Sequence, residues 1–551
     1  MTTSSCKILL LSLLGFLVQA AAAQLPVLRV SFPGEMTADM TYIQGTMTLT
    51  DTDGSQVALP AKFKTRGATA KQYLMKPSFN MKIRTVDSVE IDTCLLGLRS
   101  ASSWILDAMA IDRICMRNRV CFDLWNAYAR LPYTTSFNGR NGTVGRFVEV
   151  YINDTYKGIY CLSDRINRKL LGLKKPKVAD NGTVTIRGVL YKQGTTDVAD
   201  QSTVGYFNDS TIYVIQYHDA WELQEPEDYP GATAWQRLNE AYASYNNYAK
   251  IKQTFDIDNL ADYTLLIMAL SIEDNWGNKN KFYSARNVTQ ADKSTVYCTP
   301  WDLDASLGGN YNGTNYDGTY STWSPSDITK NTVEPFATCL AQPDFQALLK
   351  TKWQKLRSTT FAVDSVAKRL TDYRDLFLSS GAWARQTAYW DAQQYKPLYV
   401  SDLTKEINYI IQWYRDRHDT MDTYFGITPD RISAIRDTPL HSASLHPRRT
   451  QGGQTLVAAA RHLYRQRTQG LDTLTRRNRP ITGSADLQSA HNARFPAPAT
   501  HSFGFATQSP AFATRDHNLL RPHKRTSDGN RQPAGSSQRP LVAACRTVSA
   551  L

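Results

Sequence analysis

Histidine is nearly absent from the first 430 residues of this 551-residue chain. Of the nine histidines, only His218 and His418 lie there, and the other seven follow residue 440. A Ser-His-Asp or Cys-His hydrolase would have to use one of these two, and neither lies in a recognisable nucleophile motif. The chain also has no HExxH and no GxxxxGK[ST] sequence, so it lacks the common zinc-protease and P-loop signatures. Any chemistry is therefore expected to rest on carboxylates and a bound metal.

Paired cysteines of the CxxC type are missing as well. None of the eight cysteines has a partner at that spacing, so a structural zinc site is not indicated. Several cysteines lie inside apolar runs, namely ICMRNRVCF, GIYCL and VYCTP. A cysteine in such a run is more often a buried free thiol than half of a disulfide. We therefore expect free thiols at these positions.

No apolar run in the chain is long enough to cross a membrane. The run at residues 8–18 has 11 residues, against the roughly 20 that a spanning helix needs. It follows Lys7 and precedes small residues ending at Ala23, which is the pattern of a secretory signal peptide. The sequence thus predicts a signal peptide at residues 1–23 and an exported protein without a transmembrane segment. Its location would be periplasmic, cell-surface or secreted.

Glutamate is absent from residues 431–551, and Lys524 is the only lysine there. This segment has 18 basic residues against five aspartates, a net charge of +13 that equals that of the whole chain. Residues 1–430 therefore carry no net charge, and bulk charge gives no reason to expect nucleic-acid binding by the folded body. The tail has few large apolar residues and no periodicity, which predicts disorder. Binding of nucleic acid or of an anionic surface, and translation out of frame or past a natural end, are alternative interpretations.

The remaining residues divide into a strand-rich and a helix-rich half. Alternating patterns predict strands in most of residues 25–217, including a hairpin at 146–162 that turns at Asn153-Asp154. One helix is predicted within this half, at 104–130. Helical patterns dominate from residue 233, for example at 363–379 and 400–425. The pattern predicts an α+β, two-lobed domain at 24–430, with an N-lobe at about 24–220 and a C-lobe at about 221–430.

The most informative segment is Ser271–Gly309, which contains DNWGNKN and, after a predicted hairpin, PWDLDASLGG. Asp274 and Asn280 lie in its first polar loop, and Asp302 and Asp304 follow its second strand. Phosphoryl transfer requires a carboxylate at the acceptor hydroxyl, together with carboxylate and amide ligands for Mg²⁺. Asp274 is the candidate for the first role. Asn280, with Asn278 as a competing choice, and the two later aspartates are candidates for the second.

The alternative is an Asx-rich turn followed by surface acids. Against it, Asp302 and Asp304 lie between Pro300-Trp301 and Ala305–Gly309, an apolar setting in which acids are rarely placed without a partner.

Five segments in this order resemble the CotH kinase family. They correspond to an RG…K-S-F-x-x-K segment, a W-x-L…R-N-K helix, a V-Y-x-N-G-x-Y-x-G-x-Y hairpin, a DNW…KN loop and the WDLD sequence, and they run from Lys64 to Gly309. The resemblance weakens towards Ile427. It implies an atypical protein-kinase-like fold and ATP with Mg²⁺ or Mn²⁺ as cofactors.

The resemblance also assigns roles to individual residues. By position it places Arg66, Lys76 and Lys82 at the ATP phosphates, and it gives Asp302 and Asp304 to the metal. Asp164 stands where the family often has a glutamate, and its shorter side chain leaves open whether it pairs with a lysine.

The resulting interpretation is an exported protein kinase-like enzyme that transfers the γ-phosphoryl group of ATP to Ser or Thr of a surface or secreted protein. The alternative from another class is a catalytically inactive coat, surface or adhesion protein that keeps the fold. A glycosidase with two catalytic carboxylates is a third and weaker alternative, because no acid pair is singled out for it.

Overall fold

The computed structural model describes residues 24–34, 41–67, 75–131, 139–193, 221–229, 231–272, 275, 281–289, 294–310, 312–315, 335–394 and 397–428. The predicted signal peptide and basic tail lie outside these residues, so both remain predictions.

Seven strands of the first 164 residues close into a barrel in the order β1-β2-β3-β4-β5-β7-β6. Neighbouring strands are antiparallel except where β1 and β6 pair in parallel and close the barrel, with Val27 opposite Glu149. The strands are β1 (Val27–Ser31), β2 (Ile43–Thr50), β3 (Gln56–Arg66), β4 (Ser78–Ile83), β5 (Ser103–Asp107), β6 (Gly145–Ile152) and β7 (Thr155–Asp164).

Side-chain alternation explains why these strands close around a core. In β3, Ala61 and Phe63 are fully buried, whereas Lys62, Lys64 and Arg66 between and after them lie on the outer face. Successive residues of a strand point to opposite faces, so this pattern gives one apolar and one cationic side. The apolar side chains of all seven strands meet inside the barrel as one cluster.

A second sheet has four strands in the order β11-β10-β12-β13. Its central strands are apolar, and every residue of β13 is buried. The members of this sheet and of a short two-stranded ribbon are β8 (Lys177–Val178), β9 (Val184–Thr185), β10 (Gly188–Gln193), β11 (Trp221–Glu225), β12 (Lys281–Arg286) and β13 (Val296–Pro300), of which β8 and β9 form the ribbon.

Helices in the described residues pack beside both sheets. Several begin at a side-chain cap, such as Asp256, which accepts a hydrogen bond from the Asn259 amide at 2.8 Å. The helices are α1 (Arg117–Tyr128), α2 (Ala232–Ser244), α3 (Tyr248–Thr254), α4 (Ile257–Leu270), α5 (Phe336–Leu340), α6 (Pro343–Leu356), α7 (Val363–Ser379), α8 (Ala382–Asp391) and α9 (Leu403–Tyr424). None of the helices in the described ranges is both long and apolar enough to cross a bilayer.

The predicted two-lobed kinase-like fold is wrong. The first seven strands close into a barrel, and the four-stranded sheet combines β10, from before the predicted boundary near residue 220, with β11, β12 and β13 from after it. The largest hydrophobic cluster runs from Leu25 to Phe425 and includes residues of both predicted halves. The apolar core is therefore not divided where the change from strands to helices suggested.

Several predictions about individual elements of the chain are confirmed, although the predicted fold is wrong. The hairpin turns at Asn153-Asp154 as predicted, and both residues have positive φ, at 45° and 63°. The helix predicted at 363–379 is confirmed, but the one predicted at 104–130 begins only at Arg117, because residues 104–107 belong to β5. The free thiols expected in the apolar runs are confirmed: Cys115, Cys121, Cys161 and Cys298 form no disulfide, and all four are buried.

A substitution at Gly45 can test how closely β2 packs against β1. A Cβ at this position would lie 2.2 Å from the Ser31 carbonyl oxygen, which as a backbone atom cannot move aside alone. We expect Gly45→Ala to lower the free energy of unfolding by about 1–3 kcal/mol, as overpacking does in other cores. Urea denaturation measures this change. Gly231→Ala is the control, since its Cβ would meet no atom within 4 Å; equal effects of the two substitutions would contradict the packing described.

Candidate functional site

The segment after β13 forms a turn that hydrogen bonds fix at two points. Asp302, Leu307 and Gly308 have positive φ values of 60°, 51° and 76°. The Leu303 amide donates to Asn118 Oδ1 at 3.2 Å, and the Leu307 amide donates to the Leu270 carbonyl at 3.0 Å. The turn, residues 301–309, therefore has a defined conformation, anchored to α1 and to the end of α4.

Asn118 connects this turn to the barrel. Its side-chain oxygen accepts from Leu303, and its Nδ2 donates to Asp107 Oδ2 at 3.2 Å. Asp107, the last residue of β5, also accepts from the Ser78 hydroxyl at 3.3 Å. One amide side chain thus sets the position of the turn against two barrel strands. The sequence argument did not single out Asn118, although it lies in the RN pair of the segment that resembles the family's helix.

The two aspartates of the turn differ in exposure. Asp302 is exposed and Asp304 is partly buried. Asp304 lines a small cavity of about 10 Å³, together with Asp112, Arg117 and Asn310 among others; this volume holds about one water molecule. Two carboxylates one residue apart are donors of the kind that a hard cation such as Mg²⁺ or Mn²⁺ prefers, so the residues present fit such an ion.

Arg117 lies on the far side of that cavity and is almost completely buried. Its Nη1 donates to Asp112 Oδ1 at 2.8 Å, and its Nη2 lies 3.1 Å from Asn315 Oδ1 and 3.8 Å from Glu406 Oε1. A Cβ at Gly309 would lie 2.8 Å from Arg117 Nε, so only glycine permits this close approach. Arg117 therefore acts as a structural brace between α1, the 309–315 loop and α9.

Arg66 is the predicted phosphate-binding residue that lies closest to the turn. Its guanidinium carbon is 5.0 Å from the centroid of the Trp301 ring. The Lys192 ammonium lies 5.9 Å from the same centroid, and the Phe282 ring packs edge-on against it at 5.6 Å. Two cations thus adjoin the residue before Asp302. Lys192 was missed by the sequence argument, and the only available signal was a single lysine in the apolar strand GVLYKQ.

Lys76 is buried between the barrel and α8. Its Nζ donates to the Ile159 carbonyl at 3.0 Å and to Gln386 Oε1 at 3.2 Å. Gln386 Oε1 also accepts from the Ile159 amide at 2.8 Å. Burial lowers the pKa of the Lys76 ammonium, and the surrounding Cys115 and Asp107 groups act against that effect. Lys76 and Arg66 have different partners, and the role of Lys76 at phosphate stays a prediction.

Lys82 lies on the outer face of β4, where its Nζ is 4.7 Å from the centroid of the Tyr42 ring. Burial, with smaller contributions from Arg165 and Arg84, lowers the pKa of its ammonium. The side chain is thus next to an aromatic ring and two guanidinium groups, which would favour a nearby anion.

Asp164 is fully buried and pairs with arginines. Its Oδ2 accepts from Arg99 Nε at 2.8 Å and from Arg140 Nη2 at 3.1 Å, and its Oδ1 accepts from the Val144 amide at 2.8 Å. The resemblance left open whether Asp164 pairs with a lysine. Among the described residues its carboxylate is bonded to two arginines and a backbone amide instead. The remaining candidates, Asp274 and Asn280, and the competing Asn278 lie outside the described residues.

One further cluster of metal-type ligands within the described ranges comprises His418, Asp419 and Asp422. Asp422 already accepts from Arg357 Nε at 2.7 Å, from Arg357 Nη2 at 2.6 Å and from Trp353 Nε1 at 2.8 Å. Its oxygens are therefore engaged in a buried ion pair, and this cluster is structural.

With the fold and the site described, comparison with known proteins gives the family. The family model of the CotH kinase protein matches residues 63–421, well over half of the chain. The chain belongs to the CotH kinase family, a kinase-like family, and the resemblance found in the sequence is confirmed. No curated protein matches the chain.

The burial of Lys76 predicts a pH effect on stability. Its pKa in the folded protein is below the ordinary value of 10.5, so between those two values the unfolded chain binds more protons and stability rises with pH. Lys76→Met removes this contribution. The difference in free energy of unfolding, wild type minus variant, should therefore increase as the pH rises towards 10.5, the ordinary pKa of a lysine ammonium.

Denaturation of both proteins across this range measures the difference. Lys368→Met, at an exposed ion pair with Asp372 on α7, is the matched control and should show no such slope. Parallel curves for wild type and Lys76→Met would show that Lys76 is not titrating in a buried environment.

Proposed function

We propose that the chain is an exported protein kinase that transfers the γ-phosphoryl group of ATP to Ser or Thr hydroxyls of a secreted or cell-surface protein, with Mg²⁺ or Mn²⁺. The observation that supports this best is the 301–309 turn. It places the carboxylates of Asp302 and Asp304 directly after Trp301, against which the Arg66 guanidinium packs. A nucleotide with a bound divalent ion needs anionic and cationic groups next to each other in this way.

Asp302 and Asp304 would hold the divalent ion, together with Asn280, and Arg66 would contact phosphate oxygens. When bound, the ion neutralises charge on the phosphate groups. The hydrogen bonds from Leu303 to Asn118 and from Leu307 to Leu270 hold the backbone of the turn, so the carboxylates need little rearrangement on binding. Such preorganisation is the main protein contribution to phosphoryl transfer.

Asp274 would act at the acceptor oxygen. We propose that its carboxylate orients the hydroxyl of Ser or Thr and accepts its proton as the new P–O bond forms, while the bond from the γ-phosphorus to the bridging oxygen breaks and ADP leaves. This role is assigned from the DNW…KN sequence and from membership of a kinase-like family.

The metal role predicts unequal effects of the two aspartates. Asp302→Ala and Asp304→Ala should both weaken Mn²⁺-dependent ATP binding, and the carboxylate that bridges the ion should cost roughly a hundredfold, which equals about 2.8 kcal/mol. Isothermal titration with and without Mn²⁺ measures this. Asp372→Ala, which removes an exposed carboxylate on α7, is the control. Equal and negligible losses at the two turn positions would show that these acids serve only the fold.

The catalytic role predicts that Asp274→Asn lowers phosphoryl transfer by on the order of 10²–10⁴-fold while ATP affinity changes little. A group that acts on the acceptor hydroxyl is felt in the transition state more than in the ground state. Transfer of labelled phosphate to the protein itself and to a generic acceptor is compared with nucleotide titration of the same samples. Full transfer by Asp274→Asn would refute this assignment. ATP binding by the unmutated protein without transfer under any metal would instead favour the inactive surface or adhesion protein.

A further inference from the structure

Trp301 is contacted by two cations that come from different sheets. Arg66 is the last residue of β3 in the barrel, and Lys192 lies in β10 of the four-stranded sheet. Their charged groups are 5.0 Å and 5.9 Å from the Trp301 ring centroid, and Phe282 supports the ring edge-on. The Trp301 ring is therefore packed against Phe282, and the guanidinium of Arg66 and the ammonium of Lys192 lie next to it, close to the turn.

The N–H groups of the Lys192 ammonium are available to a ligand. It makes no hydrogen bond and no ion pair to any residue in the described ranges, although it is partly buried. Burial lowers its pKa. The Glu222 carboxylate and, more weakly, Asp302 act against this, whereas the guanidinium groups of Arg66 and Arg165 act with it. A partly desolvated ammonium among other cations gains most from a ligand with several negative charges.

Lys76 differs from Lys192 in this respect. Lys76 is 1% exposed, and its ammonium is already bound to the Ile159 carbonyl and to Gln386 Oε1. Reaching an external phosphate would require breaking both hydrogen bonds inside the protein. Lys192 requires no such change, and it adjoins the residue before Asp302.

We propose that Lys192, with Arg66, forms a binding site for an oligophosphate chain beside Trp301, so that Lys192 rather than Lys76 is the main phosphate-binding lysine. The proposal rests on the proposed function, because the chain of phosphates would be that of the nucleotide. Arg66 offers a planar fork of donors and Lys192 a compact ammonium, and both types of group bind phosphate oxygens. Asp302 follows Trp301 directly in the chain and is one of the two carboxylates that would hold the divalent ion.

The experiment measures binding of inorganic tripolyphosphate, ATP and AMP to the full chain, by isothermal titration without metal. Tripolyphosphate and ATP should bind more tightly than AMP. Lys192→Met should weaken tripolyphosphate and ATP binding about tenfold or more, and Lys192→Arg, which keeps the charge, should restore most of it. Lys368→Met makes the same change in net charge at an exposed site on α7 and should leave both affinities unchanged.

Arg66→Gln provides a second variant if Lys192→Met does not fold, and it should weaken tripolyphosphate binding to a similar degree. Tripolyphosphate and ATP affinities of folded Lys192→Met equal to wild type would overturn the proposal, as would equal losses in Lys192→Met and Lys368→Met. The outcome is separable from the proposed kinase activity. Lys192-dependent tripolyphosphate binding without any phosphoryl transfer supports the phosphate site and refutes the kinase. Transfer that Lys192→Met leaves intact, with unchanged affinities, refutes only the phosphate site.

Discussion

The surroundings of the 301–309 turn depend on a buried charge, the guanidinium of Arg117, which lies close to Gly309. It pairs with Asp112 at the start of α1 and reaches Asn315 and Glu406, so one side chain joins a helix start, a loop and α9. Asp112 in turn accepts from the backbone amides of Met116 and Arg117, both at 2.7 Å. Removing one member of such a buried pair costs about 3–5 kcal/mol, because the other is left without compensation. Both terminal nitrogens of this guanidinium are therefore bonded inside the protein, and they hold the start of α1, the residues around Asn315 and α9 to one another.

Local features of the fold were predictable from the sequence, whereas its closure was not. The Asn153-Asp154 turn lies between two alternating runs, and the 363–379 helix has a clear helical period, so short-range patterns suffice. The run WILDAMA was misassigned to a helix because a short apolar segment fits a buried strand equally well. The barrel closes through the parallel pairing of β1 with β6, with Val27 opposite Glu149. No pattern within a window of ten or twenty residues reports a contact between segments that distant in the chain.

The site shows the same limit. The carboxylates of the turn are recognisable in the sequence because acids rarely occur in an apolar, glycine-ended segment unless they have a partner. The cations do not stand out in this way, since strands carry many lysines on their outer faces. Lys76 lies just before β4 and Lys192 lies within β10, and only the structure shows that the Lys76 ammonium is bonded to two neutral acceptors and the Lys192 ammonium is not. Asn118 was missed because an asparagine within a helix has no pattern of its own; its significance comes from what it joins.

The buried free cysteines have a consequence for the conditions that the protein tolerates. Burial raises the pKa of Cys121 and of Cys161 to about 12, so at neutral pH these thiols carry almost no thiolate, the form that reacts with disulfides and metals. No cross-link among the six described cysteines contributes to the fold. Its cohesion comes from packing and internal ion pairs, which neither glutathione nor an oxidising compartment alters. For the described residues, a change in redox potential therefore breaks no bond among these six cysteines on which the packing depends.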